Sequence, residues 1–304
     1  MEEKSMTALV SAFARAYHVE NDIIKIFDDS IARLLLRDQE YFQISRSMAE
    51  GIGFFNPKFM GSGEEALRWI VDNQLSPTPL ARAVFAEKAL QAAVSIGATQ
   101  YIILGAGYDT FAYRQPIWAR DIQIFEVDLP ATAEDKRIRL EERKIDLPEN
   151  VHFIHADFAK ELWHQELIKC ADFQENKISF CSLLGVVYYL SKQAFEKFIT
   201  TLSLVIPDGS SLVFDYPVER SYSDIDDEPW NKQIMLAESA KEKMLASYSY
   251  KEMEKILSKH GFLIYEHLTP VEMTEQYFKK YNQGNPSHPI KAFEQVNYCL
   301  AVRK

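Results

Sequence analysis

Leu104-Gly105-Ala106-Gly107-Tyr108-Asp109 follows the apolar run Tyr101-Ile102-Ile103-Leu104. That run has the length and β-branched content of a strand buried on both faces in a parallel sheet. Upstream, Pro79 to Ile96 reads as a helix, closed by Gly97. The order helix, strand, glycine turn predicts an α/β chain. Two glycines let the backbone bend sharply and let a ligand approach where a Cβ would stand in the way. In an open α/β sheet, ligands lie beyond the carboxyl ends of the strands, where this turn falls.

A dinucleotide fingerprint places a third glycine three residues after the second. Thr110 occupies that position, so the fingerprint fails. Gly-x-Gly alone also describes an ordinary strand-to-helix turn. The next strand adds a constraint. Phe125-Glu126-Val127-Asp128 ends in a carboxylate about 20 residues further on, the spacing at which an acid reaches ribose hydroxyls. A glycine turn plus such an acid, with no pyrophosphate to cradle, fits a nucleoside ligand. S-adenosylmethionine answers to that description.

Leu104 to Thr110 with Ala112-Tyr113-Arg114, followed by Phe125-Glu-Val-Asp-Leu-Pro130, resembles the leucine carboxyl methyltransferase family. The resemblance is closest to its bacterial branch of S-adenosylmethionine-dependent O-methyltransferases and runs from about residue 80 to the end. It implies a Rossmann-like methyltransferase fold: a mostly parallel central sheet with helices on both faces, an N-terminal helical lid and an insertion after the fifth strand. The implied division is a cap over residues 1–78 and a cofactor-binding unit over 79–304, with the insertion at 217–247. The sequence itself shows no linker between the two and no internal repeat.

The same resemblance assigns the cofactor contacts. Arg82 corresponds to an arginine on the methionine carboxylate, a group its planar fork suits. Gly105, Ala106 and Gly107 form the turn. Asp128 holds the ribose, and Leu129 beside it belongs to the same cofactor site. Asp157 and Phe158, at the end of a third strand Val151–Ile154, hold the adenine. Asp157 reads equally as the cap of a helix beginning near Glu161. At Leu184-Gly185 the family has Glu-Gly, so an acid expected beside the sulfonium is missing and another would have to replace it. Tyr188 and Tyr189 line either the transfer pocket or the core. Asp215 ends a fifth strand.

Composition bounds the partners. The 304 residues carry a net charge of −10, which argues against nucleic acid, whose phosphates need clustered Lys and Arg. No apolar stretch reaches spanning length, and Met1-Glu2-Glu3-Lys4 has no signal pattern, so a cytoplasmic protein is expected with no membrane partner. Cys170, Cys181 and Cys299 read as reduced thiols, and no His or Cys spacing suggests a metal site. Oligomeric state is left open.

Elsewhere the patterns are local. Residues 5–36 carry apolar residues at helical spacing and read as helical, either an amphipathic cap with a solvated charged face or, as the family resemblance implies, a lid, with Arg15-Ala16-Tyr17-His18 resembling a family Arg-Ala motif. Gly51–Pro57 and Gly61-Ser62-Gly63 read as loop. Thr78 is the expected cap of the next helix, with Pro79 first and Arg82 in the first turn. Glu134 to Arg143 reads as a solvated charged face. Pro217 to Ser247 is acidic and aromatic (Tyr222, Asp224, Asp226, Asp227, Glu228, Trp230) and overhangs the expected transfer end. Ser249-x-x-Glu252 is a capping box, and Val296 to Val302 alternates as a final strand.

Methyl transfer is an in-line displacement that needs alignment and exclusion of water. An ionised carboxylate acceptor needs no base, a hydroxyl does, and no fixed base stands out. The expectation is an O-methyltransferase acting on a carboxylate, or a hydroxyl, of a small molecule or exposed peptide terminus. Two alternatives remain at this level. One is a non-catalytic binding protein on the same fold, suggested by Leu184. The other is an NAD(P)-dependent oxidoreductase, against which Thr110 counts.

Overall fold

The computed structural model describes residues 4–158, 162–219, 228–239 and 242–304. Seven strands form one sheet: β1 Gln100–Leu104, β2 Gln123–Asp128, β3 Val151–His155, β4 Ser179–Leu183, β5 Ser211–Pro217, β6 Phe262–Leu268 and β7 Val296–Arg303. Their spatial order is β3-β2-β1-β4-β5-β7-β6. β1 to β5 are parallel, and β7 runs antiparallel between β5 and β6. The chain starts mid-sheet at β1, builds outward to β3, then returns to place β4 on the other side of β1. That reversal opens a crevice at the carboxyl ends of β1 and β4.

The helices are α1 Met6–Asn21, α2 Asp38–Glu50, α3 Ile52–Phe55, α4 Gly63–Ile70, α5 Pro77–Ser95, α6 Pro130–Glu142, α7 Trp163–Ile168, α8 Lys192–Val205, α9 Glu228–Ser239, α10 Tyr250–Lys259, α11 Pro270–Met273 and α12 Lys279–Gly284. Strand alternation explains why helices cover both faces. Tyr101 and Ile103 of β1 pack with Leu80, Phe85 and Leu90 of α5. Ile102 and Leu104, one residue out of phase, pack with Phe195, Phe198 and Leu202 of α8. Burying each such side chain contributes about 1.5–3 kcal/mol. A third cluster joins Leu9, Phe13 and Ala16 of α1 to Val71, Leu75 and Tyr108, which seats the N-terminal layer over the glycine turn.

Four local expectations change. Residues 5–36 are not one helix. α1 stops at Asn21 because the Asp22 carboxylate pairs with His18 Nδ1 at 2.7 Å, while His18 Nε2 accepts the Ile26 N–H at 2.9 Å. These side-chain bonds replace the helical ladder, and Ile23 is left 96% exposed. The first glycine-punctuated stretch expected as loop holds a short helix, Ile52–Phe55, entered from Gly51 at the end of α2, while Asn56 to Ser62 is non-helical and Ser62 with Glu65 forms a capping box on α4. The helix expected at Thr78 starts at Pro77, following a π-helical turn Val71–Leu75, so Arg82 sits in its second turn and meets little of the helix dipole. α6 is not uniformly solvated, since Lys136 and Arg139 are each 1% exposed. Within the insertion, Tyr222, Asp224, Asp226 and Asp227 lie outside the described residues, as does Glu161.

Candidate active site

Gly105 (φ +73°) and Gly107 (φ +48°) both adopt the left-handed region that β-carbons disfavour. A Cβ at Gly105 would collide with Val186, and one at Gly107 would lie 3.1 Å from Ala8 of α1. The Gly105 and Ala106 N–H groups donate to Val127 O at 2.8 and 3.2 Å, which pins the turn to the end of β2. One residue on, Asp128 accepts the Gly107 N–H at one carboxylate oxygen and the Leu129 N–H at the other, the latter at 2.6 Å. Burial pushes its pKa above the ordinary value, and these two N–H donors restrain that rise. Each oxygen keeps a lone pair for a ligand hydroxyl.

Arg82 projects from α5 between α1 and β4. Its Nη2 donates to Ser11 Oγ at 3.0 Å, and its Nη1 lies 3.7 Å from Asp215 Oδ2. Gly185, at φ +70°, lies against this guanidinium so closely that any Cβ would strike it. Leu184 is half-buried and packs against the α5 side of the sheet. The Tyr188 hydroxyl donates to Asp215 Oδ2 at 2.7 Å, and burial drives its pKa well up, helped by that carboxylate. Phe158 meets Trp163 and Phe198 edge-on, at centroid distances of 5.3 and 5.6 Å.

All nine residues singled out from the sequence (Arg82, Gly105, Ala106, Gly107, Asp128, Leu129, Asp157, Phe158 and Leu184) line one cleft of about 880 Å³. Further walls come from α1, α2, the π-helical turn, α9, the arm 242–245 and the segment leading into β7. Three contributors carry no signal in the sequence, and a fourth, Asp215, is visible there only as an acid at the end of a strand. Ser11 orients Arg82. Glu242 accepts the Met6 N–H and the Ser5 hydroxyl at 3.1 and 3.0 Å, as well as the Thr7 hydroxyl, so the insertion holds the start of α1. Gln233 of α9 donates to Gln74 O at 2.9 Å, tying the insertion to the π-helical turn. Asp215 stands behind Arg82. A helix N-terminus facing a carboxylate is a recognisable pairing, but nothing local identifies which distant acid supplies it.

Arg15, expected in the lid, binds Tyr108 O at 2.7 Å and Asp29 at 2.8 Å, and Asp29 also accepts the Thr110 hydroxyl at 2.6 Å. It therefore braces the glycine turn while itself lining the cleft, as does Asp29. His152 stacks on Phe125 at the start of β3, away from the cleft. Donor atoms of His152, Cys170 and Asp172 lie within 4.8 Å of one another there, a grouping invisible in the spacing, and none of the three lines the cleft.

A model of the leucine carboxyl methyltransferase family matches residues 8–203. The chain belongs to that family. It is 39% identical, over 99% of both chains, to a Bacillus subtilis protein named as a candidate S-adenosyl-L-methionine-dependent methyltransferase, YktD. A Mycobacterium tuberculosis protein named in the same way, Rv3399, is 27% identical over 70% of this chain and 57% of its own length. A crystal structure of a candidate methyltransferase from Thermobifida fusca shares the fold, with a TM-score of 0.56, 13% identity and coverage of 99% and 96% of the two chains. So does a DUF574-family protein from Streptomyces avermitilis, with a TM-score of 0.57, 12% identity and coverage of 86% and 97%. As a leucine carboxyl methyltransferase family member the chain is an S-adenosylmethionine-dependent methyltransferase. The nicotinamide reading lapses with that membership.

Proposed function

We propose that this methyltransferase esterifies a carboxylate carried by a small molecule or an exposed peptide terminus. The observation behind the cofactor half of this reading is the convergence of Arg82 from α5 with the Gly105–Gly107 turn, Asp128 and Asp157, at the tips of β1, β2 and β3, on one cleft. In this reading Arg82 binds the methionine carboxylate, Asp128 the ribose hydroxyls and Asp157 the adenine amine, with Leu129 and Phe158 as apolar walls. The residues fit such a ligand: a Cβ at Gly105 or Gly185 has no room, and Asp128 is prefixed by two backbone donors. When bound, S-adenosylmethionine supplies an electrophilic methyl group on a sulfonium.

The chain's own task is to align the acceptor and exclude water. Met48, Leu75, Leu236, Met244 and Phe293 give the rest of the cleft an apolar wall, and Lys243 stands exposed on its lining. That combination suits an anionic group on an apolar body. The Tyr188 hydroxyl is committed to Asp215 and its pKa is driven up, so it is a poor base at neutral pH. A carboxylate acceptor needs none. Calorimetry with S-adenosylhomocysteine tests the cofactor assignment. Saturable binding that Asp128→Ala weakens strongly supports it. No binding at millimolar ligand overturns it.

A further inference from the structure

Asp215 is 0% exposed, and a buried carboxylate persists only with compensating partners. Its partners are the Gly185 N–H on Oδ1 at 2.7 Å, the Tyr188 hydroxyl on Oδ2 at 2.7 Å, and Arg82 Nη1 at 3.7 Å from Oδ2. Gly185, Tyr188 and Arg82 all line the cleft, whereas Asp215 does not. It sits one layer behind them. In the β4–β5 pairing Leu183 faces Phe214, so Asp215 lies beside position 184. That position carries Leu184, which has no charge to offer.

We infer that Asp215 is a positioning residue, aiming the Arg82 guanidinium into the cleft and supplying from β5 the negative charge that position 184 lacks. The inference rests on the cofactor site proposed above. Arg82 is held from two sides, by Ser11 on α1 and by Asp215 on β5. One of its five N–H donors is used on Ser11, which leaves others free to meet a ligand carboxylate. Asp215 also fixes the Gly185 N–H, and so the turn against which the guanidinium lies. Asn is nearly isosteric here. Its oxygen can accept from Gly185 and its amide can donate to the Tyr188 oxygen, so Asp215→Asn removes the charge while keeping the hydrogen bonds.

The test compares two ligands by calorimetry. S-adenosylhomocysteine carries the amino-acid carboxylate, and 5′-methylthioadenosine shares the adenosine and sulfur but lacks it. Arg82→Ala and Asp215→Asn should each weaken S-adenosylhomocysteine about tenfold and leave 5′-methylthioadenosine within about twofold. The double variant should bind no worse than Arg82→Ala alone, because the aspartate acts through the arginine. Equal weakening of both ligands by Asp215→Asn would mean a merely structural role, and a double variant equal to the product of the singles would mean an independent one. Either result overturns the inference. If Asp215→Asn does not fold, Asp215→Ser carries the test, since it also removes the charge: a loss confined to S-adenosylhomocysteine supports the role, and an equal loss on both ligands refutes it. Wild-type protein that binds neither ligand would instead defeat the cofactor site itself.

Discussion

Asp128 shows how far a single position can be read. Its place at the end of β2, about 20 residues after a glycine turn, was visible in the chain. The two backbone donors that hold its carboxylate were not, because they exist only once the turn closes on β2. With both oxygens fixed, Asp128→Ala should weaken S-adenosylhomocysteine by about 10- to 100-fold, as expected for losing hydrogen bonds to a charged group. Titration calorimetry at neutral pH reads this directly. Gly105→Ala fails differently. It strains φ +73° and collides with Val186, so the melting temperature should fall along with binding, by several degrees in a scanning measurement. Leu184 was the position at which the resemblance broke down, and the sequence offered no substitute acid. Asp215 becomes a candidate only when β5 is laid beside β4.

At the level of elements, the strands and their capped helices were legible, since short apolar runs and Ser-x-x-Glu boxes act locally. The N-terminal layer was not. Apolar spacing through residues 5–36 reads as helical, but the local His18–Asp22 pair ends α1 and the Asp22 and Asp29 carboxylates also bind the Arg68 and Thr110 side chains, which lie elsewhere in the chain. The contact between Glu242 and the start of α1 is equally non-local, spanning 236 residues to Met6. Removing it with Glu242→Ala should cost roughly 1 kcal/mol of cap energy. Amide hydrogen exchange should then rise in α1 while α5 stays protected. Unchanged exchange in α1 would show that the arm does not hold it. In α6, alternating charges hid a buried pair. Lys136 Nζ lies 2.7 Å from Glu126, whose pKa burial pushes up, and the Tyr113 hydroxyl donates to the same carboxylate at 2.9 Å. Lys136→Met leaves that acid buried and unpaired, so chemical denaturation should show a loss of about 3–5 kcal/mol. Adding Glu126→Leu should recover most of it.

Across the whole molecule, two-sided burial, readable for β1 from four apolar residues, holds for β1, β4 and β5, whose alternate side chains feed opposite cores, while the edge strand β3 is only partly buried. How the N-terminal layer attaches depended on charge pairs that only the fold assembles. Arg139 donates to both oxygens of Glu40, at 2.5 and 2.8 Å, linking α6 to α2. Burial favours the neutral acid, yet hydrogen bonds from Arg139, Lys4 and the Arg37 backbone outweigh it and hold the Glu40 pKa at about 2, below its ordinary 4.5. A carboxylate depressed in this way stabilises the fold above its unfolded pKa and loses that contribution as pH falls. The melting temperature should therefore drop between pH 4.5 and about 2, and Glu40→Gln should lower it at neutral pH while flattening that slope. Protein incubated with methyl-labelled S-adenosylmethionine and an extract of the cells that make it should transfer label to an acceptor, and mild alkali should release that label as volatile methanol, the signature of a carboxyl methyl ester. Label that survives alkali as an ether, or no transfer at all, would contradict the account.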